Sequence, residues 1–553
     1  MRTMSPRHDQ PWDSERQAKK DRMARAQRIA TGRIIPTDRI TSFLEEVIQP
    51  GDRVALEGNN QKQADFLSRA LADVDPERVH DLHMLFPSIS RPEHLDIFED
   101  GIASKVDFAF SGSQSARVAQ LVADGTLNVG DIHTYLELYS RMFLDLAPQV
   151  ALVAAVSADR EGNLYTGPNT EDTPAICEAA AFRSGIVIAQ VNEIVDELPR
   201  VDIPGSWVDF VVEANAPFQV EPLFTRDPRQ LSDVHVLLGM LTIRGVYERH
   251  QVTSLNHGVG LDTAAIELLL PTYGESLGLR GKICTHWALN PHPNLIPAIE
   301  TGWVSKISAF GGEVGMSRYV AARPDIFATG SDGSLRSNRM VAQSAGMYAT
   351  DMFVGSTLQV DALGNSSTVT SGRLAGFGGA PNLGSDARGR RHHSHAWFDL
   401  AQGEGQLGIQ RGQKLVVQIA ETFNAGAAPK FVEELEAVAV GRQSSMALAP
   451  VMVYGDDVTH LVSEEGVAYL YKTQSLEERR QAVAAIAGVT PIGQQARMED
   501  TQRLRREGVV AFPEDLGIDL TQANRSLLAA HSIENLVEWS GGLYEPPARY
   551  RSW

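Results

Sequence analysis

The chain has 553 residues, two cysteines and a formal net charge of −19. That length exceeds what one hydrophobic core supports and predicts two domains. The acidic balance argues against general nucleic-acid binding, and no stretch approaches the roughly 20 apolar residues that cross a bilayer.

With only Cys177 and Cys284, a disulfide framework is not expected; a reducing cytoplasm is. The N-terminus also lacks the apolar core of a secretory signal.

Residues 1–40 hold ten Lys/Arg against five Asp/Glu, so a basic arm precedes an acidic body. Such an arm reads either as a contact for an acidic partner or as a solvated first helix. Residues 16–30 lack Gly and Pro and predict an exposed helix. A strand at 54–56 then meets a Gly/Asn turn and a helical pattern. Gly58 there offers a backbone conformation that other residues resist, and Asn59 or Asn60 a helix cap.

Strands at 106–110, 150–156, 186–191 and 208–212 alternate with helical segments, which predicts a mainly parallel sheet covered on both faces. A loop-like stretch between Val212 and Val234 sets a boundary near residue 235, giving domains at 41–235 and 236–553. The second half repeats the theme, with strand, glycine turn and helix at 252–266 and strands at 304–310, 357–360 and 415–419. The fold class is α/β, with two related domains that each carry a mainly parallel sheet flanked by helices.

Two glycine-rich turns stand out. Gly258-Val-Gly260 lacks the third glycine of a dinucleotide fingerprint, because Thr263 stands there. In Ser371-Gly-Arg-Leu-Ala-Gly376-Phe-Gly378-Gly379-Ala-Pro-Asn382, three glycines fall within four residues. Such a turn is either a tight structural bend or a nest of N–H groups for an oxyanion, a phosphate or a thioester carbonyl. Arg388, Arg390, Arg391, His392, His393 and His395 follow. The cysteines are distant in sequence and no second ligand cluster stands out, so no metal site is expected. The run reads as a solvated basic loop or as a receiver for phosphates or an acidic carrier.

In chain order, residues 151–174, Ile186-Val-Ile-Ala-Gln-Val-Asn-Glu193, Leu255-Asn-His-Gly-Val-Gly-Leu-Asp-Thr-Ala-Ala265, the Gly376–Asn382 loop and His460-Leu-Val-Ser-Glu-Glu-Gly-Val-Ala468 resemble the CoA-transferase and acetyl-CoA hydrolase superfamily. Within it, Trp12-Asp-Ser-Glu-Arg16, Ala55-Leu-Glu-Gly-Asn-Asn60 and Thr285-His-Trp-Ala-Leu-Asn-Pro-His292 resemble the malonate decarboxylase alpha subunits.

The resemblance implies two CoA-transferase-like domains and an acyl-carrier-protein transferase that exchanges acetate for malonate on a carrier thiol. Its partners would be the acyl carrier protein and the decarboxylase subunits, with malonate and acetate as small molecules. No tightly bound cofactor is implied; the carrier brings a phosphopantetheine-type, dephospho-CoA-derived arm. A transferase using free acyl-CoA, a citrate lyase-type transferase and a non-catalytic scaffold for the decarboxylase subunits remain the other readings.

Many superfamily members attack the thioester with a Glu between a short strand and a helix of the second domain. The matching stretch here, residues 284–294, has no carboxylate, and Glu267, Glu275 and Glu300 nearby read as solvated. The expected route is therefore direct attack by a malonate carboxylate through a mixed anhydride. Gly376, Gly378 and Gly379 are the expected oxyanion loop, with Asn256, Gly258 and Gly260 on the opposite wall and Asn382 also at the substrate. Arg373, His286 and His292 are candidates for malonate's distal carboxylate, and Arg388, Arg390 and Arg391 for the carrier.

Overall fold

The computed structural model describes residues 12–309, 311–331, 333–335, 337–384 and 414–551, the side chains of 337, 338 and 345–349 excepted. The chain divides into two units, Met1–Val220 and Glu221–Trp553. The division falls ahead of residue 235 for a local reason. The buried Glu313 carboxylate accepts hydrogen bonds from Leu223 N (3.2 Å), Thr225 N (3.0 Å) and Thr225 Oγ1 (2.8 Å), which ties the loop after Val220 to the second unit.

In the first unit, helix α1 (Asp13–Ala26) leads to β1 (Ile34–Ile35), β2 (Arg53–Leu56), helix α2 (Asp65–Ala72), β3 (Leu82–Ser88), β4 (Ala103–Phe110) and β5 (Asn128–Ile132). Three more strands follow: β6 (Val150–Ala158), β7 (Ile186–Ile194) and β8 (Phe210–Glu213). The sheet order is β1-β8-β7-β6-β2-β3-β4-β5. Each of these pairings is parallel. The apolar runs of β6 and β7 fit the centre of such a sheet, where both faces are covered.

Two local expectations fail here. The turn after β2 is a small hairpin pairing Gly58–Asn59 with Lys62–Gln63, and α2 starts at Asp65 without an asparagine cap. Asn59 instead donates to Asp172 at 2.9 Å. Gly58 has no left-handed φ; it is small because a Cβ would overlap Ser88 O and come within 2.6 Å of His94 Cε1. The basic helix is also not merely solvated. The Arg22 guanidinium is buried against Asp52 (2.7 Å), and Lys19 pairs with Asp209 at 2.9 Å, so part of the arm's positive charge is used within the unit.

In the second unit, helix α3 (Asp233–Thr242) precedes β9 (Ser254–His257), helix α4 (Leu261–Leu269), β10 (His286–Ala288) and β11 (Lys306–Ser308). Helix α5 (Arg339–Ala349), β12 (Met352–Ser356), helix α6 (Ala380–Leu383), β13 (Leu415–Ile419), β14 (His460–Ser463), β15 (Gly466–Tyr469) and β16 (Val510–Ala511) complete it. The order is β11-β10-β9-β12-β13-β14-β15-β16. The pairings are parallel from β11 through β14 and antiparallel beyond. The segment near 357–360 is realised as β12 followed by a short strand, Gln359–Asp361.

The two units share one winding rule. In each, the central strand is followed by strands laid outward on one side, after which the chain returns to build the other side. The repeat extends to single residues. In Asp159-Arg-Glu-Gly-Asn163, the aspartate accepts from Asn163 N (2.9 Å) and Asn163 Nδ2 (2.7 Å), while Asn163 Oδ1 accepts from Gly205 N at 2.8 Å. In Asp361-Ala-Leu-Gly-Asn365, the aspartate accepts from Asn365 N (3.0 Å) and Asn365 Nδ2 (2.7 Å), and Asn365 Oδ1 from Gly455 N at 2.7 Å. Arg33 donates to the carbonyls of Gly205 and Val208, and Arg479 to those of Gly455 and Val458.

Both cysteines are buried and unpaired. Among the described residues, no helix is long and apolar enough to cross a membrane.

Candidate active site

In an open α/β sheet, ligands bind beyond the carboxyl ends of the strands where the winding reverses. In the second unit that point lies between β9 and β12. The chain leaves β9 through Gly258 and Gly260 into α4, and leaves β12 at Ser356. The turn is tight. A Cβ on Gly258 would meet Gly355 Cα at 3.3 Å, and one on Gly260 would meet Ser356 Oγ at 2.5 Å. Neither glycine has a left-handed φ, so close approach is what excludes larger side chains here.

Ser356 donates to Asp262 at 2.7 Å, and His235 Nε2 lies 3.8 Å from Asp262 and 3.6 Å from Glu421. Burial pushes the Asp262 carboxyl up, and the Ser356 hydrogen bond with the charges of His235 and Lys430 offsets only part of that.

The second glycine turn reaches the same strands. Gly376 and Gly378 adopt φ of +78° and +57°, a region that glycine occupies without penalty. Thr368 Oγ1 donates to Gly376 O at 2.6 Å. Gly379 caps α6 with an ordinary φ of −94°, but its Cβ would overlap the Gln343 carboxamide, 2.7 Å from Cδ. The Phe353 ring of β12 joins the two turns: a Cβ on Gly258 would lie 3.9 Å from its Cζ, and one on Gly384 3.0 Å from its Cδ1. Gln343 Oε1 and Asn382 Oδ1 are both buried with no hydrogen-bond partner among the described residues.

A third element was not legible as a site. Glu267, read from sequence as solvated, is 1% exposed. Its Oε1 accepts from His257 Nδ1 and from His292 Nδ1, both at 2.9 Å. Burial raises its carboxyl, but the charge of His292 and the hydrogen bonds from both imidazoles outweigh this and bring it down to about 2. His257 Nε2 meets the Tyr247 hydroxyl at 2.7 Å, and burial holds His257 below its usual value despite the Glu267 hydrogen bond. Glu267 therefore stays ionised, and Tyr247 donates to a neutral His257. The sequence held a signal for its burial, since Ala264-Ala-Ile-Glu-Leu-Leu-Leu270 sets one carboxylate in an apolar helix run, but none for what partners it.

The remaining candidates are dispersed. Asn256 is buried, and its Nδ2 is spent on Ala288 O of the neighbouring strand at 2.5 Å. His286 opens β10 and shares its Nδ1 with Thr285 Oγ1 at 2.9 Å. Arg373 is exposed on a hairpin pairing Val369–Thr370 with Arg373–Leu374. Arg388, Arg390 and Arg391 lie outside the described residues.

Among the described residues, one group has metal-ligand geometry, Asp107, Asp131 and His133 in the first unit. Its charge is already met inside the protein. Asp107 takes His83 Nε2 at 2.6 Å and His133 Nε2 at 2.7 Å, and Arg141 lies 3.1 Å from Asp131.

Comparison with known proteins places this geometry in context. Residues 11–553 match the family model described as "Malonate decarboxylase, alpha subunit, transporter". The chain is 55% identical over 548 residues to a Malonomonas rubra protein named acetyl-S-ACP:malonate ACP transferase, covering 98% of this chain and 99% of that one. It is 64% identical to a chain of a Pseudomonas malonate decarboxylase hetero-tetramer solved in complex with malonate, with a TM-score of 0.92 over 98% of this chain and 99% of that one. The fold alone is shared with an acyl-CoA transferase of Escherichia coli O157:H7, at 15% identity and a TM-score of 0.52, covering 80% of this chain and 89% of that one.

Proposed function

Because the chain belongs to the malonate decarboxylase alpha subunit family, we propose that it is the acyl-carrier-protein transferase of that enzyme. It exchanges acetate for malonate on the carrier thiol: acetyl-S-ACP and malonate give malonyl-S-ACP and acetate. The observation that carries this reading is the 55% identity to an acetyl-S-ACP:malonate ACP transferase along nearly the whole of both chains. The decarboxylase subunits and the carrier are its partners, and the carrier supplies the phosphopantetheine-type arm.

The exchange proceeds by direct attack. One malonate carboxylate oxygen adds to the acetyl carbonyl, the carbon–sulfur bond breaks, and the carrier leaves as thiolate. The mixed anhydride is then attacked by that thiolate at the malonyl carbonyl. Acetate leaves, carrying the oxygen that bridged the anhydride. One thioester and one carboxylate enter and one of each leaves, so no nucleotide is consumed.

The three glutamates nearest in sequence to residues 284–294 support this route over an enzyme-bound thioester. Glu267 is buried, held at about 2 and hydrogen-bonded to two imidazoles, which makes it a poor nucleophile. Glu275 lies 3.3 Å from Arg280, and Glu300 accepts from the Tyr319 hydroxyl at 2.6 Å while pairing with Arg323.

The protein's share of catalysis is then positioning and oxyanion stabilisation. Alignment of two reactants contributes about 7–11 kcal/mol in favourable cases, and an oxyanion donor about 3–4 kcal/mol. The Gly376–Gly379 turn is the oxyanion loop, and the Gly258–Gly260 turn admits the acyl group beside it. A single turnover with oxygen-18-labelled malonate tests the chemistry. Direct attack delivers one labelled oxygen to the acetate; unlabelled acetate, with a label later found on a protein carboxylate, excludes it.

A further inference from the structure

Malonate differs from the acetate it replaces by a second carboxylate, and a buried site needs a donor for it. Three residues were candidates from sequence, and their surroundings separate them. Arg373 is exposed, where water screens its charge. His286 is only half-buried and already engages Thr285. His292 is 4% exposed, and its Nε2 has no hydrogen-bond partner among the described residues. Buried polar atoms are nearly always paired, so a lone one calls for a ligand or a water. The Nδ1 on the other side of the ring is fixed on the Glu267 carboxylate at 2.9 Å, and Phe224 stacks on the ring face with centroids 4.8 Å apart.

Resting on the transferase reading, we infer that His292 Nε2 receives the distal carboxylate of malonate, and that Glu267 is the positioning residue that makes this possible. The hydrogen bond at Nδ1 decides which nitrogen faces outward. With Nδ1–H given to the Glu267 carboxylate, Nε2 meets a second carboxylate as a donor only when it too carries hydrogen, so the ring that binds malonate is an imidazolium between two carboxylates, Glu267 behind and the ligand in front. His257 from β9, with Tyr247 behind it, is joined to this cluster through Glu267, and the charge of Glu267 also acts on Arg226. Among the described residues, Glu267 is the acidic group bonded to the His292 ring. It stabilises the positive ring and orients it, without touching substrate.

The loop that carries His292 leaves the carboxyl end of β10, and Glu267 connects it to His257, the residue before Gly258. The specificity group and the glycine turn thus belong to one hydrogen-bonded assembly. The same arrangement gives acetate no partner at Nε2, because acetate has no second carboxylate.

The test compares two acids on the same enzyme. The intact transferase, with its acetylated carrier, is given malonate or isotopically labelled acetate, which exchanges into acetyl-S-ACP by the same route. His292→Gln and Glu267→Gln should each lower kcat/KM for malonate about tenfold to a hundredfold relative to that for acetate, the usual range for a charge-assisted hydrogen bond. In Glu267→Gln an oxygen still accepts at Nδ1, so loss of malonate selectivity there isolates the charge.

An equal fall for both acids in both variants, or an unchanged ratio, overturns the inference while leaving the transferase reading intact. So does a loss of both activities in variants that remain folded by circular dichroism. Failure of the wild-type protein to exchange either acid would defeat the transferase reading itself.

Discussion

Gly379→Val tests whether the Gly376–Gly379 turn is the oxyanion loop, and the size of the effect can be worked out beforehand. Gly379 has an ordinary φ of −94°, so valine meets no backbone penalty there. The conflict is with Gln343, whose buried carboxamide a Cβ would overlap. Gln343 Oε1 has no hydrogen-bond partner among the described residues, so displacing that end of the side chain breaks no bond at the oxygen. Overpacking of this kind costs about 1–3 kcal/mol of stability, which a chain of this size tolerates. Loss of an oxyanion donor costs about 100- to 1000-fold in turnover.

The expected result is therefore a folded protein, slightly less resistant to urea, with transfer reduced by that larger factor. Steady-state transfer measured beside urea unfolding separates the two effects. Pairing Gly379→Ala with Gln343→Ala removes the collision and should recover stability and much of the activity. Normal transfer by Gly379→Val would remove the loop from the active site.

Other consequences are independent of that loop. In the first unit, burial lowers His133, but its hydrogen bonds to Asp107 and Glu137 and their negative charges raise it from 6.5 to about 9. Its stabilising contribution, about 3 kcal/mol by linkage, is full below 6.5 and disappears as pH rises through about 9. Urea unfolding at about pH 6 and about pH 10 should therefore show a larger alkaline loss in the wild type than in His133→Gln, and equal losses would refute the assignment. Neutralising Arg388, Arg390 and Arg391 together should raise the KM for the carrier and flatten its salt dependence, with turnover at saturating carrier little changed, if this basic run in the sequence meets the acidic carrier, because such charges steer encounter. Kinetics at two ionic strengths decide this; an unchanged carrier KM and salt slope would move the docking surface elsewhere.

The alternation of apolar strands and helical segments was enough to read two α/β units, because buried parallel strands such as Val150–Ala158 need continuous apolar runs. The glycine turns were visible for the same kind of reason: few residues fit where Gly260 meets Ser356 or where Gly378 turns left-handed. What sequence could not supply was partnership across distance. Glu267 and His292 are 25 residues apart, and nothing local announces that one carboxylate serves two imidazoles. The Asp-x-x-Gly-Asn repeat at Asp159 and Asp361 was equally hard to see, since its meaning lies in the shared hydrogen bonds to Gly205 and Gly455. Gly58 was legible as special but for the wrong cause, because a clash with Ser88 O and His94 is invisible until β3 and the helix Glu93–Glu99 beyond it are in place.

If this chain is the transferase, the carrier changes its acyl group here without help from the decarboxylase subunits. Intact-protein mass spectrometry of acetylated carrier, incubated with the purified chain and malonate in the absence of the decarboxylase subunits, measures that change. Acetyl-carrier should convert to malonyl-carrier with release of one acetate per carrier, and should not convert without the chain. Carrier that remains acetylated in the presence of folded chain and malonate would contradict the transferase reading.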